Sequence, residues 1–315
     1  MKISRRDFIK KSASLGAFSF LSVGMNTGCK STQTTTEKQT VNIDISVAQG
    51  KDYSANTRKA VENLGGMEAF VPKGSKVAIL ANPQRNNPGA FTKPDILRSA
   101  IQMCQEAGAS NVTCISQLPD QNWEATGMKQ VLLDEGANLV IVDRSDDSQF
   151  RTLPVPKGTA LREAQIMSEF FNYDVFIDMP ITKDHAGNKF TGTMKNLMGL
   201  SSSKTNRTFH KKNWQTDINA IDHLEQCIAD LNTIIQPDIC IVDATEFITT
   251  NGPFGPGEII KPQKVVAGID RVAVDSYCCT LWGLEGRNIL QITKASDHGL
   301  GEMDLNKVKI KEISV

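Results

Sequence analysis

Net charge is missing from this chain, and so is any long run of one sign: 35 basic residues balance 35 acidic ones over 315 positions. Nucleic-acid binding normally needs a basic stripe, so no nucleic-acid partner is expected. Aromatic residues make up 6%, too few for a base-stacking platform. No C-x-x-C pair occurs among Cys104, Cys114, Cys227, Cys240, Cys278 and Cys279. An iron–sulfur or cysteine–zinc site built from local sequence is therefore not expected. Most of these cysteines fall in apolar stretches, where a free thiol packs as a small hydrophobe. The glycine-rich segment Asn251-Gly252-Pro253-Phe254-Gly255-Pro256-Gly257 has no G-x-x-x-x-G-K-[ST] pattern, so it reads as a turn rather than a phosphate cradle. Near the start, the apolar stretch from Ala13 to Met25 is interrupted by Ser14, Gly16, Ser19, Ser22 and Gly24. It is too short and too weakly apolar for a stable membrane span.

What is present begins with Ser4-Arg5-Arg6-Asp7-Phe8-Ile9-Lys10 ahead of that soft stretch. The arrangement resembles a twin-arginine export signal, which makes the twin-arginine translocase a partner and implies folding before transport. Cys29 follows Asn26-Thr27-Gly28, a place where lipoprotein processing acylates a cysteine, although Asn26 departs from the usual aliphatic residue. Residues 30–40 are polar with no apolar face and read as a flexible tether. The expected organisation is a signal over 1–29, a tether over 30–40 and an α/β domain over 41–315. The protein would be exported to the periplasmic side of the cell envelope and held on the membrane through lipidated Cys29.

From Val41 onward, short apolar strands alternate with amphipathic helices. Strands are expected at 41–47 (with one wet face), 76–80, 112–115, 139–142, 175–177 and 239–242. Helices are expected at 56–70, from Thr92 and Pro94 to Cys104, and at 123–135, 159–171 and 218–235. Such alternation predicts an α/β fold: a mainly parallel sheet flanked by helices, with irregular loops at the strand carboxyl ends. In these sheets ligands sit beyond the carboxyl ends. The residues there include Asn82 and Arg85, Asp178, Lys183 and His185, Lys195 and Asn196, then Asp243 and Gly252.

Lys183-x-His185 followed by Thr193-Met194-Lys195-Asn196-Leu197-Met198-Gly199 resembles the signature of the "domain of unknown function 362" family of bacteria and archaea. His210, Asp243, Gly252-Pro253, Asp270-x-x-Ala273-Val274-Asp275 and Gly299-Leu300-Gly301 fall in that family's order. The resemblance runs from about Lys76 to Gly301. Two departures stand out. Leu80-Ala81-Asn82 replaces the Lys-Pro-Asn of many relatives, and the ferredoxin-like segment appended in some is lacking.

Lys183, Lys195 and Arg85 would form a cationic rim for phosphate or carboxylate, with Asn82 and Asn196 adding neutral contacts. A helix over 193–199 would add the amide donors of its first turn. His185 and His210 are candidates either for an acid–base pair or for metal ligation, with Asp178 or Asp243 adding oxygen. Asp270 is expected to cap the helix that follows it, and Asp275, in apolar company, to support the site from behind. The catalytic set is thus Lys183, His185 and Lys195, and the ligand-binding set is Asn82, Arg85, Asn196, His210, Asp243 and Gly252. The sequence names no cofactor. The expected function is a cofactor- or redox-linked enzyme acting on an anionic small molecule. The alternatives are a binding protein for such an anion and an accessory protein docking on an electron-transfer complex.

Overall fold

The computed structural model describes residues 43–315. The twin-arginine segment, Cys29 and the tether over 30–40 lie outside the described residues. Twelve strands occur among those described: β1 (Ile45–Gln49), β2 (Lys76–Ala81), β3 (Asn111–Ser116), β4 (Asn138–Ile141), β5 (Phe150–Pro154), β6 (Glu163–Met167), β7 (Val175–Met179), β8 (Ile239–Ala244), β9 (Phe247–Ile248), β10 (Ile259–Ile260), β11 (Lys264–Gly268) and β12 (Ile310–Ser314). Eight form one sheet in the order β12-β1-β11-β8-β7-β2-β3-β4. Only β11 in this sheet runs against both its neighbours; the other adjacent pairs are parallel.

The sequence of the inner strands explains their place. Lys76-Val77-Ala78-Ile79-Leu80-Ala81 is buried at every position after the lysine, as a strand covered on both faces must be. Helices Tyr53–Glu62, Pro94–Glu106, Asp120–Ala125 and Met128–Asp134 cover one face, over a core with Val77, Ile79, Ile96, Leu97 and Trp123. Helices Thr193–Asn196, Ser203–Phe209, Ile218–Asn232, Arg271–Thr280 and Leu290–Asp297 cover the other, over Leu80, Phe176, Phe190, Met194 and Val274. Pro94 opens its helix at a position where no amide proton is needed.

Four sequence expectations change. The first strand starts at Ile45, and Ser46 and Ala48 are as buried as Ile45 and Val47, so it has no wet face. The helix expected over 56–70 ends at Glu62, and Met67–Ala69 is a separate short turn of 3-10 helix. The helix expected over 123–135 is broken at Gly127, whose φ of 77° is left-handed. The helix expected over 159–171 is instead strand β6, which pairs antiparallel with β5, and a 3-10 turn at Ser168–Asn172. One cause is visible at its start. The Asp230 carboxylate accepts from the amides of Thr159, Ala160 and Leu161 at 2.7–2.8 Å, holding that segment against helix Ile218–Asn232.

Candidate functional site

In chain order the sheet grows from β2 through β3 to β4, then returns to place β7 on the other side of β2 and β8 beyond it. The order reverses between β2 and β7, and a crevice at the carboxyl ends is the geometric result. A cavity of about 410 Å³ opens there, floored by Leu80, Ala81 and Asn82 at the carboxyl end of β2 and by Ser116, Gln117 and Leu118 at that of β3. Its walls carry His185, Thr191, Lys195, Asn196, His210 and Trp214. Arg144, Gln84, Asn206 and Phe254 complete its polar and aromatic lining, and among the described residues no Asp or Glu lines it.

Lys195 and Asn196 stand on helix Thr193–Asn196, a single turn held from outside. The Asp275 carboxylate accepts from Thr193 N at 2.7 Å, from Thr193 Oγ1 at 3.0 Å and from Met194 N at 3.1 Å. The first-turn amides of this helix are therefore occupied by a carboxylate of the protein. Burial raises the Asp275 carboxyl to about 7 against these bonds and Arg271. Lys195 Nζ donates to the Met198 sulfur at 3.7 Å and has no ion pair within 4 Å among the described residues. Burial lowers it to about 8, opposed by the field of Glu225, which is itself buried in helix Ile218–Asn232.

Asn196 is the hub of the floor. Its amide donates to Leu80 O at 3.1 Å and to Asp178 Oδ1 at 2.7 Å, and its carbonyl accepts from Asn82 Nδ2 at 3.1 Å. Asn82 in turn accepts from Lys183 Nζ at 3.5 Å, and Lys183 also donates to Ala90 O at 2.5 Å. Lys183 is 0% exposed, and burial with Lys195 lowers it to about 7. Asp178, equally sealed, is raised well above the usual carboxylate range by burial.

The two histidines share one arrangement. His185 Nδ1 lies 2.8 Å from Ala186 O, and His210 Nδ1 lies 3.0 Å from Asn206 O. A carbonyl accepts only, so Nδ1 carries the proton and Nε2 keeps its lone pair. Trp214 packs against both rings, with centroids 5.2 Å from His185 and 4.9 Å from His210. Burial, then Lys195, lowers His185 well below its ordinary value and His210 to about 4. Both are neutral at neutral pH. Among the described residues no group of three or more His, Cys, Asp or Glu side chains is placed to hold a metal ion, so these two imidazoles gain no third protein ligand of those types.

The structure thus brings His185, Lys195, Asn196, Asn82 and His210 to one cavity and leaves other named residues outside its lining. Lys183 and Asp178 lie behind the floor. Asp243 accepts from Thr245 N, Thr245 Oγ1 and Lys93 N, joining strand β8 to the entry of helix Pro94–Glu106. Arg85 stacks over the Phe254 ring at 4.8 Å. Gly252 serves by approach: a Cβ there would stand 1.8 Å from Asp184 O, so only glycine lets this loop press on the His185 segment. Arg144 and Trp214 are among the cavity residues that the sequence did not single out, with Ser116, Gln117, Leu118 and Asn206. Arg144 follows strand β4, one of the carboxyl ends that the crevice rule singles out, and Trp214 is a rare tryptophan beside Lys211-Lys212-Asn213.

The "Thylakoid-associated protein sll1697" of Synechocystis sp. is 26% identical over 268 residues, covering 82% of this chain and 79% of that protein. The lactate racemase apoprotein from Thermoanaerobacterium thermosaccharolyticum overlays with a TM-score of 0.45 at 16% identity, over 73% of this chain. The chain spans 55%, about half, of that structure's length. Residues 76–280 run from the first residue of β2 to the end of helix Arg271–Thr280 and include every residue lining the cavity. They match the family described as "Domain of unknown function (DUF362)", and the chain belongs to it.

Proposed function

We propose that this protein binds a small organic anion in the cavity at the ends of β2 and β3 and acts on it as an acid–base enzyme. The observation that carries the reading is the charge of the lining: Lys195 and Arg144 with two neutral histidines, and no carboxylate. A buried ammonium is costly, the field of Glu225 offsets part of that cost, and a ligand anion relieves more of it. Arg144 donates Nε to Ser203 Oγ at 2.8 Å, which leaves its two terminal nitrogens for a carboxylate or phosphate. Two imidazoles with accepting Nε2 atoms supply proton transfer. The twin-arginine and lipid-site resemblances support export in the folded state and a membrane tether. The thylakoid association of the Synechocystis relative is compatible with life at a membrane. Linkage to a cofactor or to redox chemistry is supported by the export resemblance alone.

The test is calorimetric titration of the purified full chain with oxalate, phosphate and the neutral analogue oxamide. Oxalate or phosphate should bind and oxamide should not. Lys195→Met or Arg144→Gln should weaken the anion at least about tenfold, the scale of one charge-assisted hydrogen bond. Equal affinity for oxalate and oxamide, or none for either anion, would overturn the reading.

A further inference from the structure

We propose that Lys195 is a nucleophilic amine whose Nζ condenses with the carbonyl carbon of a 2-oxo acid bound in the cavity, forming an imine. This inference rests on the anion-binding reading above and names its substrate class.

Access selects Lys195. It is the lysine that lines the cavity, whereas the Nζ of Lys183 is spent on Ala90 O and Asn82 Oδ1 behind the floor. Nucleophilicity needs a free electron pair, and an ion pair would hold the proton in place. Among the described residues Lys195 makes no ion pair within 4 Å; the buried Glu225 acts on it only through its field, and its hydrogen-bond neighbour, the Met198 sulfur at 3.7 Å, is a weak acceptor. Desolvation then favours the neutral amine, the usual way a lysine is activated for imine chemistry. Its lowering to about 8 agrees with this placement.

The rest of the lining fits a 2-oxo acid. Arg144 offers a planar fork for the carboxylate. Trp214, Phe254, Leu118 and Met198 give the wall apolar surface for the side chain of the acid. The His185 and His210 Nε2 atoms are bases. In the first step the amine nitrogen bonds to the carbonyl carbon, and the C=O π pair moves to oxygen. A histidine carries one proton from nitrogen to that oxygen, giving a carbinolamine. The proton that the ammonium gave up to the second histidine before the attack is returned to the hydroxyl, the nitrogen lone pair forms the C=N bond as the C–O bond breaks, and water leaves. Overall the ammonium and the ketone become a protonated imine and one water, with no oxidant or reductant.

The experiment is reductive trapping. The full chain is incubated with phenylpyruvate and sodium cyanoborohydride, and the reduced adduct is mapped by peptide mass spectrometry, with oxalate as competitor and thermal shift as a separate readout of anion binding. One adduct per chain is expected at Lys195, suppressed by oxalate. In Lys195→Arg, which removes the nucleophilic amine, it should fall to the level of the surface lysines. Two results overturn the proposal on wild-type protein alone: an oxalate shift with no adduct, or an adduct spread over surface lysines and indifferent to oxalate. Absence of the oxalate shift as well would remove the anion-binding reading with it.

Discussion

Gly192 and Asp275 show how one residue sets the site without touching a ligand. A Cβ at Gly192 would stand 2.2 Å from Asp275 Oδ1, the oxygen that holds both the amide and the hydroxyl of Thr193. Gly192→Ala should push that carboxylate off the turn carrying Lys195 and Asn196. A loss of about 2–3 kcal/mol in urea-unfolding stability is expected, from overpacking and broken buried hydrogen bonds, together with weakened oxalate binding. Unchanged stability and binding would show that the carboxylate does not organise the turn. Lys183 makes a second prediction, in pH. Its ammonium titrates near 10.4 when exposed and at about 7 in the fold, so between those values the unfolded chain binds more protons. Its contribution is full above about 10.4, falls as pH drops, and levels off below about 7, with a slope up to about 1.4 kcal/mol per pH unit. Buried thiols such as Cys104, raised to about 12, act in the opposite sense as pH rises, so the readout is a difference. The stability of wild type minus that of Lys183→Met should increase between pH 7 and 10. A flat difference would mean that the amine is charged in the fold.

At the scale of elements, the segment after β7 matters more than any helix. Lys183 and Thr191 pair through two backbone hydrogen bonds, of 3.2 and 2.9 Å, closing a loop that projects His185 into the cavity. The loop is clamped from outside: Gly252 N donates to Asp184 Oδ2 at 2.7 Å, and Ala186 N donates to Gly252 O at 3.2 Å. Gly252→Ala should therefore displace His185 and weaken oxalate binding more than it lowers stability. An NMR titration of the histidine ring protons would report the change, with His185 moving up toward ordinary values as it becomes wetter. A His185 resonance unaltered in the variant would dismiss the clamp. The same scale shows where sequence reasoning succeeded and failed. Buried parallel strands such as 76–81 announce themselves, because every residue after Lys76 is apolar. Residues 159–171 do not. Leu161, Ala164, Met167 and Phe170 are buried at a spacing that also suits a helix. What decides for a strand is pairing with Phe150–Pro154 and the Asp230 anchor, both remote in sequence. Strands β11 and β12 escaped notice because they join the sheet through long-range partners rather than through a repeating strand–helix unit.

For the whole molecule, the sheet order explains how much of the site was legible. The crevice rule led from strand ends to Asn82, His185, Lys195 and Asn196, all of which line the cavity. It also gathered Asp243 and Arg85, which a strand end supplies just as readily but which turn to helix entry and to Phe254. Sequence shows which segment reaches the carboxyl edge; side-chain direction is settled by partners elsewhere. A site assembled from β2, β3, the loop after β4, the loop after β7 and the 251–256 turn exists only after the domain folds, which suits a route that carries folded cargo. Arg5→Lys with Arg6→Lys should leave a folded, anion-binding protein in the cytoplasm. Cys29→Ser, with the arginines intact, should export the protein but shift it from the membrane fraction to the soluble one, since acyl chains provide the anchoring free energy. Among the described residues no helix is long and apolar enough to cross a membrane, so that part of the chain offers no helical span to mask the effect. Fractionation of the wild type and the two variants decides it. Normal export of the arginine double variant would discard the twin-arginine route, and a wild type already soluble would discard the lipid at Cys29.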